Sequence, residues 1–333
     1  MGRCGTAAAS VSAAAGSIRV TGPIQSVPQA RYICWKSCPM EGTMRILLTL
    51  ATYLAGATAA LAWGPLAEPA EIGEAERILD IRSPEAFAEG HLPGAVNTPY
   101  GSYRGPAENP GELIDAATLQ QILRDAGVAE GQDILIVHQG DSTTDFGAAA
   151  RVYWTLKSAG LTSLAVLNGG YEDWVEAGNA PATETASVEP SQIEISWDDT
   201  WTIDRDGVAA VVNGQSDAVL IDARPYEFFT GEKKHAAAKA AGTLAGALSL
   251  VNTVWFGNDD PRIDPPQEMI DRVKALAEDS GDSPLVSFCN TGHWAATNWF
   301  AASELAGIEG VKLYPESMVG WTLGGGDAVK GTN

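Results

Sequence analysis

Cysteine is scarce in this chain, with 4 in 333 residues. That count is too low for a disulfide-stapled scaffold. Basic residues are scarce too: 21 Lys and Arg stand against 42 Asp and Glu, a net charge of -21. A general nucleic-acid binder needs a basic face to neutralise phosphates, and a protein held on anionic lipid by its own charge needs one as well, so the balance argues against both. No compositional bias marks a disordered, collagen-like or coiled-coil chain: 45% of residues are hydrophobic, 19% are charged, and there are 36 Gly and 18 Pro. What remains is an ordinary globular protein, long enough for two compact domains.

The first 62 residues read differently from the rest. Residues 1–43 are rich in Ala, Ser and Gly, contain one acid, Glu41, and show no sustained period. They are expected to be an unstructured or misannotated leader, with translation starting at Met44. Residues 44–62 begin Met44-Arg45, continue through an apolar stretch and close on Ala60-Leu61-Ala62, the pattern of a secretory signal peptide. The expected location is periplasmic or secreted, with no stable membrane association after cleavage; an uncleaved anchor is the alternative. Cleavage would remove Cys4, Cys34 and Cys38 and leave Cys289 as the single thiol. The remaining chain has 16 basic and 41 acidic residues, a net charge of -25. A lone thiol in an exported protein is either buried and inert or kept for chemistry.

Beyond residue 62 one domain is written twice. Ile78-Leu79-Asp80-Ile81-Arg82 reads as a strand, followed by the helix-start signal Ser83-Pro84-Glu85 and then Gly90-His91-Leu92-Pro93-Gly94-Ala95. Val219-Leu220-Ile221-Asp222-Ala223-Arg224 repeats the strand and its Asp-x-Arg end, with Gly242-Thr243-Leu244-Ala245-Gly246-Ala247 further on. Asp133–Val137 matches Ser283–Phe288, and Gly160 and Gly307 close two helices. Short apolar strands alternating with helices predict an α/β fold: two domains, each a mainly parallel sheet flanked by helices on both faces. The predicted domains are 66–180 and 198–330, joined by a polar, aperiodic linker at 181–197. Most of the Trp residues are expected in the core or between domains.

Cys289 directly follows the second-domain strand that ends at Phe288, and Asn290-Thr291-Gly292-His293-Trp294 lead into a helix. Ligands of parallel sheets gather beyond the carboxyl ends of the strands. A tight loop there turns successive backbone N–H groups toward one point and stabilises a thiolate, a persulfide or an oxyanion. Gly292 lets such a loop close. The competing reading is a buried, unreactive cysteine at a strand end. A cysteine phosphatase is disfavoured, because Ala295 stands where its Cys-x5-Arg motif needs the arginine. Ser142 lacks a Gly-x-Ser-x-Gly elbow and is a weak hydrolase nucleophile. His91 and His138 lack metal-ligand spacing and are read as surface or capping residues.

These motifs together resemble the tandem rhodanese-like sulfurtransferases, the thiosulfate and 3-mercaptopyruvate sulfurtransferases among them. The resemblance is carried by Leu79–Arg82, Gly90–Ala95, Ala150-Arg151-Val152-Tyr153-Trp154, Val166–Tyr171 with Trp174, Ile221–Arg224, the Cys289 loop, and Leu313-Tyr314 with Trp321. It spans roughly residues 70–325. It implies a catalytically dead first domain and a second domain whose Cys289 takes sulfur from a donor as a persulfide. The sulfur then passes to cyanide, a thiol or a redox protein acceptor, without metal or organic cofactor. The amides from Asn290 to Trp294 would hold the anionic persulfide, and His293 could donate to it. Asp222 and Arg224 would be a supporting pair. A non-enzymatic persulfide carrier in the cell envelope and a signal-anchored scaffold are the alternatives.

The chain departs from the family pattern in three places. The Cys289 loop has no Lys or Arg, Tyr226–Phe229 has none, and the second Gly-His-x-x-Gly-Ala has become Gly242-Thr243-Leu244-Ala245-Gly246-Ala247. Lys233, Lys234 and His235, in an insertion before Gly242, are candidates for the missing charge, with a solvated surface run as the alternative. Trp255, with Trp294, is a candidate aromatic wall, and core packing is its alternative. In the first domain, His138–Gly147 carries no cysteine, and Asp141 and Asp145 there would repel an anionic donor.

Overall fold

A computed structural model describes residues 64–257 and 260–332. Residues 1–63, with the expected leader and signal segment, lie outside the described residues. Two parallel sheets form the frame. The first has the order β1-β5-β4-β2-β3, from β1 (Leu66–Ala67), β2 (Arg77–Asp80), β3 (Val96–Asn97), β4 (Ile134–Val137) and β5 (Leu164–Leu167). The second has the order β7-β6-β8-β9, from β6 (Val219–Asp222), β7 (Leu248–Ser249), β8 (Leu285–Phe288) and β9 (Lys312–Leu313). A parallel bridge from Thr202 to Leu313 takes the edge that β1 takes in the first sheet. All residues of β4, β5 and β8 are buried, which is why these strands read as continuous apolar runs and not as alternation.

Helices cover the sheets: α1 (Pro84–Glu89), α2 (Ala116–Asp125), α3 (Phe146–Ser158) and α4 (Gly170–Glu176) in the first half. The second half has α5 (Arg205–Val212), α6 (Tyr226–Phe229), α7 (Gln267–Asp279), α8 (Trp294–Phe300) and α9 (Ser317–Leu323). Ser83, Asp115 and Asp204 cap α1, α2 and α5 by accepting a backbone N–H from the first turn. Gly160 and Gly307, both with left-handed φ, follow the ends of α3 and of the π turn that continues α8, so the helix stops fall where the glycines put them.

Helices α3 and α8 form the centre of the molecule. Almost every residue of α3 is buried, because it packs on its own sheet with one face and on α8 with the other. Rings interlock along this seam: Phe146 and Phe300 centroids lie 5.4 Å apart, and Tyr153 and Phe300 lie 5.0 Å apart, both edge to face. Each buried ring contributes about 1.5–3 kcal/mol by leaving water, so the seam is a continuous core across both halves.

Each half also reaches into the other. After the 3-10 turn Tyr100–Tyr103, Arg104 donates to the carbonyl of Thr291 at 2.7 Å, and the Gly111 backbone closes on Pro315 and Glu316. After the 3-10 turn Asn252–Trp255, Ile263 exchanges hydrogen bonds with the side chain of Asn168, and Arg262 pairs with Glu68 and Asp173. The polar stretch 181–197 holds no helix or strand but is anchored. Ala182 bridges His91, Arg124 donates to the carbonyl of Ile193, and Ile193 is buried.

Candidate functional site

Both Asp-x-Arg motifs fold into the same buried clasp. Asp222 accepts from the backbone N–H, Nε and Nη2 of Arg224 and from the hydroxyl of Thr243, and Arg224 also donates to the carbonyl of Gly242. Arg224 Nη1 then reaches Asn290 Oδ1 at 3.3 Å, which ties the clasp to the loop after β8. Asp80 and Arg82 repeat this geometry, with Gln139 in the place of Asn290.

Cys289 heads that loop and is 1% exposed. Ser317 gathers the loop. Its hydroxyl accepts the N–H of Cys289 at 2.9 Å and of Gly292 at 3.1 Å, and donates to the carbonyl of Tyr314. Ser317 has φ 52, the left-handed region, which an L residue occupies at a cost of about 1–2 kcal/mol. Three hydrogen bonds on one hydroxyl offset that cost. Gly292 is also left-handed, with φ 71, and a side chain there would strike Arg151 and the carbonyl of Pro315. The amides of Asn290, Thr291, His293 and Trp294 have no hydrogen-bond partner within the described protein, and Trp294 Nε1 is buried without one. The loop that follows the buried thiol therefore carries several backbone donors left unused.

The first domain completes this site. Arg151 of α3 is fully buried and has no carboxylate partner among the described residues. Its Nη atoms donate to the carbonyls of Thr291, Gly292, Pro315 and Gly111 at 3.1–3.5 Å. Burial, and then the nearby charge of Arg104, push it down to about 9. The ring of His293 is bound on both sides by the first domain. Nε2 lies 2.7 Å from the carbonyl of Thr144, so it carries the proton, and Nδ1 accepts from the hydroxyl of Tyr100 at 3.0 Å. His293 is therefore a tether between domains and not a free donor toward sulfur.

This tether has a pH signature. Burial first, and Arg104 second, push His293 from 6.5 down to about 4, so the folded protein holds it neutral. The unfolded chain takes up that proton near its ordinary value. The stability linked to His293 is complete above pH 6.5 and is lost as the pH falls through 4. Urea unfolding over this window is expected to show the loss, and His293→Gln is expected to flatten it. An identical pH slope in both proteins would contradict the assignment.

In the first domain His138 takes the position after β4 that Cys289 takes after β8. It is fully buried, and its Nδ1 lies 2.7 Å from Asp145 Oδ2, which also accepts the N–H of Gly140. Burial pushes Asp145 up, but these partners and His293 outweigh it and hold the carboxyl below its ordinary value. The loop carries a hydrogen-bonded His138–Asp145 pair and no thiol.

Three sequence readings need correction. Trp255 cannot form part of a substrate wall: it is 0% exposed, and its Nε1 is spent on Asn298 Oδ1. An apolar run around a tryptophan reads the same whether the ring faces a cleft or the core. Lys233 and Lys234 do not supply charge to the loop: Lys233 pairs with Glu227 on the surface, and Lys234 donates to the carbonyl of Ala238. His91 and His138 are buried, which removes the surface alternative; His91 stacks on Phe87 and bonds that residue's carbonyl in α1 at 2.8 Å, as the capping alternative has it. Cys289, Asn290, Thr291, Gly292, His293 and Trp294 are brought together, with Asp222 and Arg224 directly beneath them. Sequence reasoning missed Tyr100, Arg104 and Ser317 as site residues and gave Arg151 no role. Arg151 had a signal, a lone charge within the otherwise apolar run Phe146–Leu156.

Comparison with known proteins places this geometry. The rhodanese-like domain pattern matches residues 63–177 and again 208–323. A Synechococcus elongatus protein provisionally named a thiosulfate sulfurtransferase is 27% identical over 255 residues, covering 74% of this chain and 76% of the relative. A Pseudomonas aeruginosa protein provisionally named a 3-mercaptopyruvate sulfurtransferase is 29% identical over 244 residues, covering 71% and 82%. The crystal structure of SseA from Escherichia coli, described as a 3-mercaptopyruvate sulfotransferase with the rhodanese fold, superposes with a TM-score of 0.63 at 20% identity, covering 76% of this chain and 98% of SseA. With two matched domains, one following its central strand with His138 and the other with Cys289, the chain belongs to the rhodanese-like domain family, among its tandem-domain sulfurtransferases.

Proposed function

We propose that Cys289 carries sulfane sulfur as a persulfide between a small anionic donor, of the thiosulfate or 3-mercaptopyruvate class, and a thiol, cyanide or protein acceptor. The observation that carries this reading is the set of unpartnered amides of Asn290, Thr291, His293 and Trp294 in the loop opened by a thiol directly after a central parallel strand. With thiosulfate, the Cys289 thiolate attacks the outer sulfur, the S–S bond of the donor breaks, and its electron pair leaves on sulfite. With 3-mercaptopyruvate the C–S bond breaks, and its electron pair forms an enolate that takes the thiol proton and becomes pyruvate. Either way Cys289 is left as an anionic persulfide. Amides of the loop that lack a partner of their own would stabilise that charge, and hydrogen bonds to ionised groups are about twice as strong as neutral ones. The acceptor nucleophile then attacks the outer sulfur and returns the thiolate. An incoming donor would approach along the seam between the domains, where Arg104, Arg151 and Tyr100 face the loop.

Intact mass after incubation with each donor tests the reading. The expected result is a gain of one sulfur, removed by cyanide and absent from Cys289→Ser. Failure of the unmodified protein to take up sulfur from either donor, or uptake by Cys289→Ser, would overturn it. We also infer an envelope or secreted location, on the support of residues 44–62; N-terminal sequencing of the exported protein tests it.

A further inference from the structure

We infer that Arg104, a residue of the first domain, binds the anionic end of the sulfur donor. This rests on the reading of Cys289 as the sulfur carrier and adds to it the group that recognises the donor. The loop Asn290–Trp294 contains no Lys or Arg, and the whole chain has a net charge of -21. An anion brought against a thiolate in such a protein needs positive charge nearby. Two guanidiniums of the first domain lie on the loop, and neither has a carboxylate partner among the described residues. They differ in what remains free. Arg151 is fully enclosed: its Nη atoms are shared among four carbonyls of and beside the loop, and the donor it leaves unpaired is Nε, at the base of the guanidinium, so it holds the loop. Arg104 spends Nη2 on the carbonyl of Thr291, while Nη1 is buried with no acceptor at all.

A buried N–H group without an acceptor costs about 1–3 kcal/mol, more when charged, and a ligand oxyanion would remove that cost. The guanidinium is already in place. The Thr291 bond fixes one edge, and Cζ lies 5.1 Å from the centre of the Tyr100 ring. Its charge also reaches the site, since it helps hold both His293 and Arg151 below their ordinary values. The nearby carboxylate, Asp145, is engaged by His138 and does not neutralise Arg104. The ligand chemistry that fits is a small molecule with oxyanion oxygens at one end and a transferable sulfur at the other. The oxygens belong either to the sulfonate end of thiosulfate or to a 2-oxo carboxylate.

The test separates binding from chemistry. In a Cys289→Ser background no persulfide can form, so thiosulfate and 3-mercaptopyruvate are titrated by calorimetry with Arg104 intact, as Arg104→Lys and as Arg104→Gln. The expected result is at least a tenfold rise in Kd for one or both donors with Gln and a partial recovery with Lys, a point charge without the fork. In the Cys289 protein the same changes are expected in KM, with kcat altered less than threefold and discharge of a preformed persulfide by 2-mercaptoethanol altered less than twofold. A rise for one donor alone identifies whether the sulfonate or the carboxylate is read. Unchanged Kd for both donors overturns the inference. So does an equal loss in Lys and Gln accompanied by a falling kcat, which would make Arg104 a brace for the loop. A protein that binds donors through Arg104 but never gains sulfur would leave this inference standing and remove the role given to Cys289.

Discussion

Gly292→Ala is expected to lower sulfur uptake at Cys289 by about 100-fold, the loss that a displacement of roughly 1 Å at a reacting centre causes. Two effects act together. The left-handed backbone at φ 71 costs an alanine about 1–2 kcal/mol. Its Cβ would also run into Arg151 Nη1 and the carbonyl of Pro315, the groups that hold the loop against the first domain. Backbone is in the way, so the loop must move and not merely its neighbours. Gly246 provides the control. It has φ 79 but open space around it, so Gly246→Ala is expected to cost about 1 kcal/mol of stability and to leave sulfur uptake intact. Persulfide formation by intact mass and thermal melts of both variants check this. Full uptake by Gly292→Ala would show that the loop does not depend on that close approach.

Asp222→Ala and Asp80→Ala should each cost about 3–5 kcal/mol, because each leaves a buried guanidinium without its counter-ion. Both carboxylates are 0% exposed, and Asp222 alone accepts hydrogen bonds from Arg224 and Thr243. Their functional effects should diverge. Arg224 passes its remaining donor to Asn290, next to the thiol, whereas Arg82 passes its own to Gln139 beside His138. Asp222→Ala is therefore expected to impair sulfur uptake beyond its stability loss. Asp80→Ala should leave uptake by the folded fraction near normal. Urea unfolding with parallel uptake assays, normalised to folded protein, separates the two. Equal functional damage from both would mean that the clasps act only through the common core.

The sequence made the duplicated α/β frame legible, because its strands are buried on both faces and its helices start and stop on capping and glycine signals. The strand ends were less legible. The run from Ile78 to Arg82 continues apolar alternation past Asp80, where the strand ends and the Asp80–Arg82 clasp begins. The thiol and its loop could be located because the loop is contiguous in the chain. Tyr100, Arg104 and Ser317 could not. Their contributions come from across the domain seam or from a helix start far along the chain, and a Tyr or Arg in a polar loop gives no periodic signal. Ser317 was hidden for another reason. Its first-domain counterpart at the start of a helix is Gly170, with φ 66, so the left-handed backbone is repeated while the residue is not.

The crossing of Arg104 and Arg151 onto the Cys289 loop has a consequence for how such a doubled protein can change. A copy that has given up its own nucleophile would ordinarily be free to drift. Here the copy without a cysteine supplies the cations and the hydroxyl that hold its sibling's Cys289 loop, so a substitution in α3 or just after Tyr103 is expected to act on that loop at once. The halves cannot be inherited separately, and swapping either for that of a distant cousin should silence the enzyme even where both folds are preserved.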